Sequence, residues 1–105
     1  MERDPFAFVS DAPLFVVPRM LAQLRAYRDD VPLPELARLA ERLLAGIEAH
    51  PTRFWVLKQV QRSLEAMREE DVNTRKRCAT EIEGLMAIVG ISSSVGLVSY
   101  YLGGI

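Results

Sequence analysis

His50, Cys78 and the pair Glu81 and Glu83 are the side chains best equipped for chemistry, and their settings decide what each can do. A lone imidazole acts as a general base only within reach of an acid or nucleophile. His50 sits before Pro51 at the end of a helical pattern with no such neighbour nearby, so it is expected to meet the open carbonyls of a helix terminus. A reactive thiol needs partial exposure and a depressed pKa. Cys78 falls on an apolar helical stripe, which predicts a buried small hydrophobe even with Arg75 and Arg77 close in sequence. As the sole cysteine it can form no intrachain disulfide, and a four-cysteine zinc site is excluded. Glu81 and Glu83 are two residues apart and face different sides of a helix, so they do not pair for acid–base work. The chain has no Glu-x-x-His pair, glycine-rich phosphate loop or serine-centred elbow. The protein is therefore expected not to be an enzyme and to hold no cofactor or metal.

Recognition chemistry has better candidates. Acidic runs occur at Asp29 and Asp30 and at Glu69, Glu70 and Asp71. In an up-and-down bundle the connections after the first and third helices lie at one end, which would gather these five carboxylates. Arg28, Arg68, Arg75, Lys76 and Arg77 belong to the same end and are expected to neutralise much of that charge at a solvated rim. Carboxylates that face outward instead would steer a basic partner. Aromatic side chains are the other common interface anchors. Trp55 is expected in the core, whereas adjacent Tyr100 and Tyr101 cannot both point inward from a helix, so at least one should be partly exposed. The candidate partner-binding residues are thus Asp29, Asp30, Glu69, Glu70, Asp71, Tyr100 and Tyr101.

The elements that position these residues read as helices. Pro5 and Pro13 predict an extended segment over residues 1–12, and Leu14, Phe15, Val16 and Val17 an apolar entry segment packed across the bundle. The first clean helix should open at Pro18, because a proline pushes the residue before it out of the helical region. Pro34 is placed for the first turn of the next, where Leu36, Leu39, Leu43 and Ile47 form an apolar stripe. Arg38, Glu41, Arg42 and Glu48 fall away from that stripe. "HPT" then separates it from a third helix capped by Thr52, with Leu57, Val60, Leu64 and Met67 on its inner face. Asn73 or Asp71 can cap a fourth, carrying Cys78, Ile82, Leu85 and Val89, and Gly90 suits a left-handed helix end. Ser92, Ser93 and Ser94 can cap a short fifth helix through Tyr100 or Leu102. The expected fold is all-α: residues 1–105 as a single helical domain, a compact antiparallel bundle of four helices plus a short C-terminal fifth helix.

Bulk properties narrow the functions. The net charge of −1 creates no field favouring nucleic acid, and the short "RKR" run at Arg75–Arg77 stands beside three acidic residues, so no nucleic-acid partner is expected. The acidic, proline-containing start does not resemble a signal peptide, which points to a cytoplasmic location. From Gly84 to Ile105 no side chain is charged, and about 20 apolar residues would cross a bilayer. Nine of those twenty-two residues are glycine or serine, however, and the stripe of the fourth helix runs into the first part of the segment. A packed helix end is expected there, and no membrane anchor.

The stretch "DVNTRKRCATEIEGLMAIVGISSSVGLVSYYLGGI" resembles a bacterial family of small all-helical domains of unknown function (DUF 4844-like). Asp71, Arg75, Cys78, Met86, Ile88, Gly90, Ser93, Ser94, Gly96, Leu97 and Gly104 carry the likeness, and Pro51-Thr52 resembles the opening of the preceding helix. Val95, Tyr101 and Ile105 depart from the pattern, at places where an acidic residue, Trp and Phe would stand. The resemblance implies a helical fold ending in a packed turn and supplies no activity or site residues. By elimination, a small, acidic-leaning, motif-free helical chain reads as a protein-binding module. Its most concrete form is an immunity protein that occludes a bacterial toxin or effector. The alternative is a homo-oligomeric adaptor bundle with the tail as a dimer seam.

Overall fold

The computed structural model describes residues 13–91 and Tyr101. Four helices follow one another: α1 (Pro18–Asp30), α2 (Pro34–Gly46), α3 (Arg53–Met67) and α4 (Val72–Val89). Their boundaries follow from local chemistry. Prolines open α1 and α2, where the missing N–H would have had no helical partner anyway. At α3 the Thr52 hydroxyl oxygen accepts a hydrogen bond from Trp55 N at 3.2 Å. Asp71 Oδ1 caps α4 in the same way, accepting from Thr74 N at 2.7 Å. Gly90 ends α4 with φ +79°. Its N–H donates to the Ala87 carbonyl and that of Ile91 to the Met86 carbonyl, closing the helix with the paired bonds of a left-handed terminus.

The apolar stripes meet in one core. Leu24, Leu36, Leu39, Leu43, Ile47, Leu57, Val60, Leu64, Cys78, Ile82 and Leu85 have no exposed surface, with Met86, Val89 and Ile91 nearly as deep. Side-chain contacts set the sense of the α2–α3 pair. Glu35 meets Ser63, Arg42 meets Gln59, and Gly46 meets Trp55, so the residue number falls along α3 as it rises along α2. These two helices are antiparallel. Helix α2 touches α1, α3 and α4, and α4 touches the other three, whereas α1 and α3 do not meet. The all-helical expectation therefore holds, and among the described residues there is no strand. The segments where a fifth helix and an extended start are expected fall outside the described residues, apart from Tyr101.

Residues Pro13–Val17 correct the expected apolar entry segment. They run extended against the α2–α3 corner, with an isolated antiparallel bridge between Pro13 and Thr52 and a 2.7 Å bond from Leu14 N to the Pro51 carbonyl. Extended chain sends successive side chains to opposite sides. Leu14 and Val16 accordingly pack on the core, while Phe15 is 88% and Val17 48% exposed.

Candidate functional site

The short connector between α1 and α2 and the turn between α3 and α4 belong to one end of the molecule. The contact between Glu35, in the first turn of α2, and Ser63, four residues before the end of α3, places them there. That end carries Asp29 and Asp30 at the close of α1, and Glu69, Glu70 and Asp71 in the α3–α4 turn. All five are exposed. Their engagements differ. Arg28 Nε donates to Asp29 Oδ1 at 3.1 Å while its Nη1 donates to Glu41 Oε1 at 2.9 Å, and these contacts hold the Arg28 guanidinium above its ordinary pKa. Exposed ion pairs of this kind add little net stability. Asp71 serves the fold. The N–H bond from Thr74 comes first among the causes that hold its carboxyl below the usual value, and the Arg75 charge acts in the same direction. Among the described residues no hydrogen bond or ion pair engages the side chains of Asp30, Glu69 and Glu70. Expected neutralisation thus reaches Asp29, through Arg28, while Asp71 is engaged as the cap of α4.

Of the tyrosine pair, Tyr100 lies outside the described residues. Tyr101 packs half-buried against the core, and its hydroxyl accepts a 2.6 Å hydrogen bond from Gln61 Nε2 on α3. The basic run divides over the faces of α4. Arg75 is half-buried, whereas Lys76 and Arg77 join Asn73, Thr80 and Glu81 along an open groove of about 410 Å³. His50 is exposed, and its ring stacks on Trp55 with centroids 5.6 Å apart. The expected bond from the imidazole to a helix-end carbonyl is replaced by this stacking, because Trp55 rises from the first turn of α3 directly beside the corner. Trp55 is partly buried against the core.

The densest polar contacts escaped the sequence reading. Ser63, fully buried, donates its hydroxyl hydrogen to Glu35 Oε2 at 3.0 Å. Arg42 Nη2 donates to Ser63 Oγ at 2.8 Å and to the Gln59 carbonyl at 3.1 Å. Its Nη1 lies 3.7 Å from Glu35 Oε2, and Arg38 Nη2 donates to Glu35 Oε1 at 3.2 Å. Arg42 therefore does not fall away from α2's inner stripe but bridges to α3. Its partial burial, followed by the charge of Arg62, lowers its pKa. A signal was present in the sequence: Ser63 stands three residues after Val60 and four before Met67, on an otherwise apolar stripe. A polar residue at such a position needs a hydrogen-bond partner. The serine has no nucleophilic prospect, since no substrate atom can reach a fully buried hydroxyl.

Cys78 is buried as expected, and burial, with the Glu35 charge second, pushes its thiol up to about 11. Tyr27 is raised too, first by burial and then by the charges of Glu81 and Cys78, and its hydroxyl donates to the Glu81 carbonyl at 2.9 Å. Among the described residues no group of three or more His, Cys, Asp or Glu could hold a metal ion, and no helix is long and apolar enough to cross a membrane.

A family model described as "Domain of unknown function (DUF4844)" matches residues 34–105. The match opens on the first residue of α2 and covers α2, α3 and α4, a longer span than the stretch that carried the resemblance. No curated protein and no solved structure matches the chain.

Proposed function

We propose that this chain, which belongs to the DUF4844 family of domains of unknown function, is a non-enzymatic protein-binding module. Its most concrete form is a cytoplasmic immunity protein that binds and occludes a bacterial toxin or effector. The observation that carries this reading is the set Asp30, Glu69 and Glu70. These exposed carboxylates share one end of the molecule, and no side chain among the described residues engages them. Unneutralised charge at a rim accelerates encounter with an oppositely charged surface and selects against like-charged ones. A basic active-site cleft is the partner surface that suits it, and occlusion would bury on the order of 800 Å² per partner.

The antiparallel arrangement of the whole bundle and the short fifth helix belong to this proposal. The bond between Gln61 and Tyr101 supports a tail seated on α3. A tyrosine already used within the chain is less available for a dimer seam, so the carboxylate end is the better-supported contact. The test is growth rescue by co-expression with the product of the adjacent open reading frame. Alanine at Asp30, Glu69 and Glu70 together should abolish rescue while the helical circular dichroism spectrum persists. Full rescue by the folded variant would overturn the placement. A tight homodimer in sedimentation, lost on deleting residues 95–105, would favour the adaptor role instead.

A further inference from the structure

We draw no further inference here: the strongest candidate, the open groove along α4 where Lys76 and Arg77 lie beside Asn73, Thr80 and Glu81, is a solvated helix face of mixed charge, and nothing in the structure shows what covers it.

Discussion

Ser63 shows how much a single polar residue can decide inside a small core. Its hydroxyl joins Glu35 on one side and Arg42 on the other. Removing it leaves both charged partners short of a bond in a partly desolvated place, which costs about 1–3 kcal/mol. Ser63→Ala should lower the urea midpoint accordingly without changing the slope of the transition. A double-mutant cycle with Glu35→Gln should show coupling of about 0.5–3 kcal/mol. Simple additivity would mean that the network contributes no cooperative stability. Cys78 offers a second test. Its thiol is raised to about 11 in the fold against about 8.5 in the unfolded chain. A raised folded pKa gives stability that is complete below the unfolded value and lost as pH rises toward the folded one. Stability should therefore fall between about pH 8.5 and 11, and Cys78→Ala should flatten that limb. Iodoacetamide should label the native thiol slowly and the urea-unfolded thiol quickly. At this scale the sequence was readable where a residue's type agreed with its stripe, as for Cys78. It was misleading at Arg42, because a long side chain can leave a polar face and reach across to the next helix.

At the scale of elements, caps and prolines made the helix openings legible. Pro18, Pro34 and Thr52 mark starts that depend on bonds within one turn. Between the alternative caps Asp71 and Asn73, the structure selects Asp71, whose carboxylate reaches Thr74 N three residues on. The segment Pro13–Val17 was less legible, since four apolar residues in a row carry no period. Its alternation comes from pairing with the α2–α3 corner, a contact distant in sequence. That corner is tightly built. A Cβ added at Gly46 would stand 2.6 Å from Trp55 Cζ2 and 2.8 Å from Cη2, well inside contact distance. Alanine is the better helix former by about 1 kcal/mol, but overpacking costs about 1–3 kcal/mol and displaces the indole. Gly46→Ala should therefore destabilise the protein and shift the emission of Trp55, the sole tryptophan. Unchanged emission with raised stability would show that the ring moves aside freely. At the other end of α4, Gly90 adopts φ +79°, so Gly90→Ala should cost about 1–2 kcal/mol. Gly84 has open space around its Cβ position and sits within α4, so Gly84→Ala should stabilise by about 0.5–1 kcal/mol.

For the whole molecule, the relation between the two acidic runs matters more than either alone. Topology predicts that the first and third connections share an end, and the Glu35–Ser63 contact supports that arrangement. Sequence could not say which carboxylates remain unengaged, because that depends on where Arg28 and Arg75 reach once the helices pack. The structure engages Asp29 through Arg28 and sets Asp71 to cap a helix, leaving Asp30, Glu69 and Glu70. Among the described residues, this division concentrates the unpaired negative charge of that end on three side chains. The most direct measurement is the affinity between the purified chain and the adjacent reading frame's product, for wild type and for the Asp30→Lys, Glu69→Lys, Glu70→Lys triple variant. Charge reversal should slow association and weaken binding by about 100-fold or more, with wild-type affinity falling as salt rises. Equal affinity and equal salt dependence in a folded triple variant would rule out this end as the contact.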